Sequence, residues 1–409
     1  QLKNGEVSIE FVNFRYSDDE KTTDSIFYCA LVLRKADTIP QLIYLCEESQ
    51  LKKVIPPTGI VYRGINAFYN GQDIYNLVWQ PINSSLKGIH TIYFAPSGLL
   101  NRISVPAISC PDSVELMEKY KLIQLSSTRS LAIAGKQEPI KTAVIYGGII
   151  YDTDSLTMLS NASIYAQKDS CFQTPSLKAN GDTRSGFRYL SGTLKEVDMI
   201  SAKLYKQGVE TKTISGSEAV EESFFALSGN NSPSIIHLST HGFYFPELDQ
   251  SVKNKLNTTS TTGEMRFRSS SDPLLRSGLM MAGANRSWKG ISALDDVEDG
   301  ILTAKEVSNL NLMNTQLVVL SACQTGQGDV KGNEGVEGLQ RGFKMAGARY
   351  IMMSLWAVPD KETTEFMGTF YDNWLDSKDI HIAFRNTQIA MSKKYKSDPF
   401  KWAAFVLVE

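Results

Sequence analysis

Five apolar runs in the second part of the chain constrain its fold more than any other feature. They lie at 143–150, 209–214, 234–240, 317–322 and 349–355. Segments with the apolar spacing of amphipathic helices lie between or after them, at 194–206, 217–227, 303–310, 336–345, 361–375 and 380–394. Runs that are apolar throughout are typical of strands buried on both faces. The alternation therefore predicts βαβ units in an α/β fold, with a mostly parallel central sheet between two helical layers.

The first part of the chain predicts a smaller α/β layer with short strands of its own. We expect strands at 28–33, 41–45 and 90–94, helices at 60–77 and 112–119, and a last strand at the far end, 403–408. A polar stretch at 134–141 follows the first part, and a length of 409 residues is typical of about two to three domains. We therefore predict two domains, at 1–140 and 141–409.

Composition excludes several classes of protein. Lys and Arg number 42 against 44 Asp and Glu, and this net charge of −2 argues against direct nucleic-acid binding. No apolar run approaches the ~18 residues of a membrane helix, and no signal-peptide pattern begins the chain. The five cysteines are scattered and odd in number, so we expect no disulfide framework, no metal site and a reducing, cytoplasmic setting. No cofactor motif is present, and none is expected to be needed.

Two segments of the second part lack this regularity. Residues 151–191 are polar and rich in Ser, with two glycines, and residues 250–271 are rich in Ser, Thr and Asn. Loops of this length in a compact domain are usually functional or disordered, and a tolerated surface insertion is an equally good interpretation. We expect the 250–271 loop to be disordered or cut by the protein itself.

Two of the four histidines lie on one predicted strand. Their rings would be ~13 Å apart along that strand, which is too far for one metal ion. His237 lies in the middle of the strand and is interpreted as a core residue. His241 precedes Gly242 at the carboxyl end, the edge where open parallel sheets collect ligands and catalytic groups.

Cys323 follows another buried run and precedes the Gly-rich segment 324–328. A cysteine on a strand is commonly a core residue, but these glycines would leave its sulfur open. A thiol nucleophile needs a base within hydrogen-bond reach, and two neighbouring parallel strands can bring such residues together. The pattern predicts Cys323 as nucleophile and His241 as base, with the N–H groups of Gly242 and Cys323 as oxyanion hole.

The sequences around these two residues resemble the signature of the CHAT family. The segments are Ile-Ile-His-Leu-Ser-Thr-His-Gly at 235–242 and Val-Val-Leu-Ser-Ala-Cys-Gln-Thr-Gly at 318–326. Further similar segments lie at 94–100, 191–196, 334–339, 346–348, 354–358, 360 and 402–403. CHAT domains are caspase-like cysteine peptidases related to separase. The resemblance implies a caspase-like three-layer sandwich with His241 and Cys323 in the same catalytic roles.

The resemblance has further implications for the protein as a whole. Residues 1–140 would be a degenerate caspase-like half packed on the active half. Members of the family commonly follow tetratricopeptide repeats, so a chain that starts at Gln1 is expected to be a piece of a longer protein. The missing N-terminal repeats would sense an activating partner. In bacteria such systems often serve defence or programmed cell death.

The loops that build the substrate pocket in caspase-like folds are acidic in this sequence. They hold Asp152, Asp154, Asp329 and Glu334, which would favour a Lys or Arg side chain before the scissile bond. Solvated loop acids are an equally good interpretation. Trp356 is expected either to border an edge on which a protein substrate adds as a strand, or to pack in the core.

Three functions remain open from the sequence. The first is a regulated cysteine endopeptidase that cleaves a protein substrate. The second is a catalytically silent caspase-like interaction scaffold, against which the presence of both His241 and Cys323 argues. The third is a cysteine amidohydrolase or acyltransferase that acts on small molecules.

Overall fold

The computed structural model describes residues 2–18, 21–57, 62–133, 139–165, 186–248, 263–291, 294–295, 297–321, 329–330 and 336–409. Its strands are β1 (Glu6–Asp18), β2 (Lys21–Arg34), β3 (Gln41–Glu47), β4 (Thr91–Ala95), β5 (Lys121–Gln124), β6 (Thr142–Ile149), β7 (Glu210–Gly216), β8 (Ile235–Ser239), β9 (Gly242–Tyr244), β10 (Ser277–Met280), β11 (Ile301–Thr303), β12 (Leu317–Ser321), β13 (Asp329–Val330), β14 (Val336–Glu337), β15 (Tyr350–Ser354) and β16 (Phe405–Val408).

Its α-helices are α1 (Glu48–Val54), α2 (Tyr62–Asn70), α3 (Leu116–Lys119), α4 (Ser155–Ser163), α5 (Ser191–Lys206), α6 (Glu221–Phe225), α7 (Gly263–Arg268), α8 (Ala284–Trp288), α9 (Ala304–Ser308), α10 (Leu339–Met345), α11 (Asp360–Ser377) and α12 (Ile380–Tyr395). Tighter or wider helical turns lie at 75–79, 80–86, 98–102, 105–107, 128–132, 229–231, 273–275 and 399–401. In the described part of the chain, no helix is both long and apolar enough to cross a membrane.

The chain divides into two compact units, of which the first comprises residues 1–138, 330–336 and 365–409. Its strands lie in the order β3-β2-β1-β4-β5-β16. The pairs β1–β2 and β2–β3 are antiparallel, whereas β1–β4, β4–β5 and β5–β16 are parallel. Val7, Ile9 and Phe11 alternate along β1 and are buried, because successive side chains of a strand point to opposite faces. The interpretation of this part as a degenerate caspase-like half stays a prediction.

The second unit comprises residues 139–329 and 337–364. Its main strands lie in the order β15-β12-β8-β6-β7 and are all parallel. Both β8 and β12 are buried at every position, as their continuous apolar runs predict. In β7 only Ile214 is buried, so the prediction that 209–214 is a strand buried on both faces is wrong, because β7 lies at the edge of the sheet. On α5, Val197, Ile200 and Leu204 form the buried stripe. A Cβ at Gly147 of β6 would lie 2.4 Å from the Val197 side chain, so this glycine allows helix and sheet to pack closely.

The predicted elements and the structure differ in several places. The long strand β1 is not predicted, although Val7, Ile9 and Phe11 alternate with polar residues as in a strand that is buried on one face. The helix predicted at 60–77 is α2 followed by irregular turns, since the chain leaves the α-helix at Gly71. A small antiparallel sheet of β9, β10 and β11 also escapes prediction, because its strands are only three or four residues long.

Both segments predicted as long loops contain a helix, which corrects the expectation of continuous loops. In 151–191 the helix is α4, where the Asp154 side chain accepts hydrogen bonds from the N–H groups of Leu156 and Thr157 and so caps the first turn. In 250–271 the helix is α7, over Gly263–Arg268. Residues 166–185 and 249–262 lie outside the described residues, so the expected disorder or self-cleavage of the second segment stays a prediction.

Candidate active site

His241 lies where the central strand β8 gives way to the small antiparallel sheet. The strand β8 ends at Ser239, and Gly242 is the first residue of β9. The carbonyl of His241 accepts a hydrogen bond of 2.9 Å from the N–H of Met280. The predicted position of His241 at the carboxyl end of a buried parallel strand is confirmed.

The His241 ring is held by one hydrogen bond and two aromatic neighbours. Its Nε2 lies 2.8 Å from the carbonyl oxygen of Arg188, and because a carbonyl only accepts, Nε2 must carry the proton. The ring centroid lies 5.2 Å from that of Tyr151 and 5.0 Å from that of Phe187. In the neutral ring the Nδ1 lone pair is therefore available to accept a proton.

The surroundings of His241 favour its neutral form. Burial lowers the pKa of the imidazole from its ordinary value, and the hydrogen bond to the Arg188 carbonyl and the negative charge of Asp360 partly offset this. Asp360 is the first residue of α11. A Cβ at Gly192 would lie 2.9 Å from its carboxylate, so α5 begins next to this carboxylate. A neutral histidine at physiological pH is the form that accepts a proton from a nucleophile.

A chain of hydroxyl groups supports the backbone at His241. The Thr240 hydroxyl donates to the carbonyl of Met280 at 2.6 Å, so it accepts from the Tyr151 hydroxyl at 3.0 Å. The Tyr151 oxygen in turn accepts from the N–H of His241 at 3.4 Å. Burial raises the pKa of Tyr151 to about 12, so this hydroxyl stays protonated and serves as a fixed donor.

His237 is a core residue, as its place in the middle of the strand predicts. Its ring is fully buried, and Nε2 lies 2.8 Å from the carboxylate of Glu196 on α5, which is itself buried. The pair joins the helix to the central strand. The prediction that His237 serves the core is confirmed.

Cys323, the predicted nucleophile, lies outside the described residues. The strand that precedes it is described: β12 ends at Ser321 and pairs in parallel with β8, Leu317 opposite Ile235 and Ser321 opposite Ser239. Cys29, Cys46 and Cys110 are free and buried, and burial raises the pKa of each thiol. These three cysteines therefore pack in the core.

The predicted pocket acids have different surroundings. Asp152 follows Tyr151, and its carboxylate accepts from the Asn285 amide at 2.8 Å and pairs with the Lys289 ammonium at 3.1 Å. Asp154 caps α4 and also accepts from the Thr157 hydroxyl at 2.7 Å. These contacts lower the pKa of Asp154.

The structure describes less of the other predicted pocket residues. The backbone of Asp329 begins β13, and Glu334 lies outside the described residues. Trp356 follows β15 and is 9% exposed. The substrate-binding roles predicted for all of these residues, and the oxyanion role of Gly242, stay predictions.

The groups that hold His241 are not signalled by the sequence. The Arg188 acceptor is a backbone carbonyl, which any residue carries, so no side-chain pattern signals it. Phe187 and Asn285 lie in stretches without a regular period. Asp360 was noticeable only as one residue of a family-like segment. Among the described residues, no group of three or more His, Cys, Asp or Glu side chains is arranged to hold a metal ion.

Comparison with known proteins identifies the family. The model of the CHAT domain matches residues 70–409. The chain belongs to the CHAT family. This CHAT chain is 24% identical over 297 residues to tetratricopeptide repeat protein 28 of Homo sapiens, and the match covers 72% of the chain and 11% of that protein. The corresponding protein of Mus musculus is 24% identical over 321 residues, covering 78% and 12%. The chain thus spans only 11–12% of the length of these curated relatives.

Two solved structures illustrate the neighbours of this CHAT chain. The Arg-specific cysteine proteinase gingipain R (RgpB) of Porphyromonas gingivalis has a TM-score of 0.42 and 11% identity, covering 87% of this chain and 68% of that chain. Separase in the separase–securin complex of Saccharomyces cerevisiae has a TM-score of 0.40 and 10% identity, covering 84% and 18%. The expected family and the α/β class with a mostly parallel sheet are confirmed.

Proposed function

We propose that this CHAT domain is a regulated cysteine endopeptidase in which Cys323 is the nucleophile and His241 the base. The observation that carries the proposal is the neutral His241 ring, which donates from Nε2 to the Arg188 carbonyl and keeps Nδ1 free to accept a proton. A thiol within reach of such a nitrogen becomes a thiolate without any metal.

The register of the two strands supports the pairing with Cys323. Each residue of β12 lies 82 positions after its partner on β8, as Leu317 lies opposite Ile235. Cys323 follows His241 by the same interval. Residues in register on neighbouring parallel strands lie about 5 Å apart and point to the same face, so a register continued past the strand ends brings the sulfur towards the imidazole.

The proposed reaction proceeds in two balanced steps. The Cys323 thiol gives its proton to His241 Nδ1, and the sulfur forms a bond to the scissile carbonyl carbon. The imidazolium then protonates the amide nitrogen, the C–N bond breaks, and a thioester remains on Cys323. In the second step water loses a proton to Nδ1 and attacks the thioester, so the C–S bond breaks and the sulfur regains the proton. The N–H groups of Gly242 and Cys323 are proposed to hold the oxyanion in both steps.

We further propose that the residue before the scissile bond is basic. Asp152 and Asp154 follow the first strand of the second unit, and Asp329, Glu334 and Trp356 are proposed to complete the pocket. The Asp152 side chain is 68% exposed, which leaves its carboxylate accessible to a Lys or Arg side chain in competition with Lys289.

Regulation by a partner completes the proposal. The curated relatives are named for tetratricopeptide repeats and are much longer than this chain. We propose that repeats of this kind in the whole protein bind an activating partner, in the cytoplasm, and that the peptidase serves a bacterial defence or cell-death pathway, as the family resemblance suggests.

A positional peptide library, digested with wild type, Cys323→Ala, His241→Ala and His90→Ala, tests the function. His90 is exposed and lies in the first unit, so its variant is the matched histidine control. We expect cleavage by wild type and His90→Ala, with a preference for Lys or Arg before the cut, and no cleavage by the other two. Equal cleavage by Cys323→Ala would contradict the proposal. A preference for acidic or small apolar residues before the cut would contradict the proposed preference for Lys or Arg.

The same proteins discriminate the two rival functions. Labelling of Cys323 by small electrophiles without any peptide cleavage, with an activating partner present, would indicate an amidohydrolase. No labelling under these conditions would indicate an interaction scaffold. Incubation of wild type beside Cys323→Ala also tests self-cleavage within 250–271, because identical intact bands would exclude it.

A further inference from the structure

One buried amide side chain connects several of the groups around His241. Asn285, on the short helix α8, is 1% exposed. Its Oδ1 accepts a hydrogen bond of 2.6 Å from the N–H of Phe187. Its Nδ2 donates to the carbonyl of Phe187 at 2.9 Å and to the carboxylate of Asp152 at 2.8 Å. Both amide protons and one oxygen lone pair are used, which fixes the orientation of the amide.

The Asn285 side chain can lie close to the backbone of Phe187 because the residue before Phe187 is Gly186. A Cβ at Gly186 would lie 2.5 Å from Asn285 Oδ1 and 2.6 Å from its carbonyl carbon. No side chain larger than hydrogen fits there without moving the amide. The glycine therefore allows the side chain of Asn285 to lie flat against the backbone of residues 186–187.

The helix that carries Asn285 is itself tied to the sheet. The N–H of Gly283 donates to the carbonyl of Ile150, and the N–H of Asn285 donates to the carbonyl of Tyr151. Both acceptors come directly after β6. Asn285 thus transmits the position of the sheet edge to the segment 186–189, which has no regular secondary structure of its own.

The residues that Asn285 holds are those that contact His241. Phe187 lies against the imidazole ring, and the next carbonyl along the chain, that of Arg188, accepts the proton of Nε2. We infer that Asn285 is a positioning residue, which clamps the backbone at Phe187 so that the Arg188 carbonyl selects the Nε2–H tautomer of His241 and leaves Nδ1 free for Cys323. The part that concerns Cys323 rests on the proposed function.

The chemistry of the side chain explains why an amide is required. Aspartate has the same shape but donates no hydrogen bond, and it would place a second carboxylate next to Asp152. Alanine removes all three contacts and leaves the Phe187 N–H and carbonyl without this partner. Loss of the clamp lets the segment 186–189 shift, and a displacement of about 1 Å at a catalytic group costs on the order of 100-fold in rate.

The first experiment measures the tautomer directly. Nitrogen-15 imidazole spectra of the full chain, assigned with His241→Ala, are compared for wild type, Asn285→Ala and Asn161→Ala. Asn161 is the matched control, because it also donates to a backbone carbonyl of the second unit, that of Ser217 at 2.7 Å. We expect the Nε2–H form of His241 in wild type and Asn161→Ala and a mixture of tautomers in Asn285→Ala. An unchanged His241 spectrum in Asn285→Ala would overturn the inference.

The second experiment follows the reactivity of Cys323. Its rate of alkylation by iodoacetamide, measured against pH and corrected with Cys323→Ala, is expected to fall on the order of 10–100-fold in Asn285→Ala and to stay within about twofold in Asn161→Ala. Where Asn285→Ala does not fold, as judged by thermal unfolding, the isosteric Asn285→Asp replaces it with the same expectation. Where wild-type Cys323 is more reactive than an ordinary thiol, an alkylation profile equal to that of wild type in a folded Asn285 variant would overturn the role of the clamp.

The two readouts separate this inference from the proposed function. In one outcome, Asn285→Ala changes the tautomer, but wild type cleaves no peptide and its Cys323 reacts like an ordinary thiol. This outcome would contradict the proposed peptidase and support the role of Asn285. In the other outcome, wild type cleaves peptide and Asn285→Ala leaves the tautomer unchanged. This outcome would support the proposed peptidase and contradict the role of Asn285.

Discussion

At the scale of single residues, His241 is governed by one backbone acceptor and one charge. The Arg188 carbonyl fixes which nitrogen carries the proton, and burial lowers the pKa so that the ring is neutral near pH 7. The carboxylate of Asp360 acts in the opposite direction, because a negative charge stabilises the imidazolium. The balance between burial and this charge sets the pKa of the imidazole, and so the lowest pH at which His241 is neutral and able to accept a proton.

The pH dependence of Cys323 alkylation reports this balance. In wild type, one part of the curve of alkylation rate against pH reports the titration of His241. We expect its midpoint to lie below pH 6.5, since burial lowers the pKa of the ring. In Asp360→Asn the midpoint should fall further, because the negative charge that favours the imidazolium is removed. Asp376→Asn, an exposed position on the same helix, is the control. A rise of the midpoint in Asp360→Asn would contradict this electrostatic account.

At the scale of elements, Asp154 has two possible roles: it caps α4, and it is proposed to line the substrate pocket. Asp154 accepts from two backbone N–H groups at the start of α4 and from the Thr157 hydroxyl. Ser, Asp and Asn satisfy such N–H groups about equally well, whereas Ala leaves them without a partner. The cap therefore depends only on a side-chain oxygen at position 154, whereas a pocket for Lys or Arg would depend on the negative charge of Asp154.

Substitution of Asp154 by two residues separates these roles. We expect Asp154→Ala to lower the free energy of unfolding by about 1 kcal/mol and Asp154→Ser to change it by only a few tenths, measured by urea denaturation. Cleavage profiling of Asp154→Ser then isolates the charge. Loss of the preference for Lys or Arg in this stable variant would place Asp154 in the pocket, and an unchanged preference would restrict it to the cap. Equal stability of all three proteins would contradict the capping role.

At the scale of the whole molecule, the second unit holds a group of buried and half-buried carboxylates. Its members come from α6, α9 and the chain before β11: Glu221, Glu222, Glu298, Asp299 and Glu306. Burial, with neighbouring carboxylates adding to it, raises the pKa of Glu298 and of Glu306 to about 7. Glu221 is 1% exposed, and its Oε1 has no hydrogen-bond partner among the described residues.

These raised pKa values make the folded state bind protons that the unfolded chain releases. Between about pH 4.5, where an unfolded glutamate titrates, and about pH 7, the free energy of unfolding should therefore decrease as pH rises. Glu221→Gln removes one buried acid and should raise the free energy of unfolding at pH 8 by about 1–3 kcal/mol. Urea denaturation at pH 5 and pH 8, with the exposed Glu218→Gln as control, measures both effects. A destabilised Glu221→Gln at pH 8 would contradict them.

The sequence by itself determined the parallel sheet, the buried strands β8 and β12 and the place of His241 at a strand end. Those features depend on local patterns, since an apolar run followed by glycine specifies a buried strand and its end. Tertiary structure alone decided that the Arg188 carbonyl holds His241 and that Asn285 clamps Phe187. The reason is physical: these two contacts join groups 53 and 98 positions apart, and a backbone carbonyl or N–H has no residue type by which a sequence could reveal it.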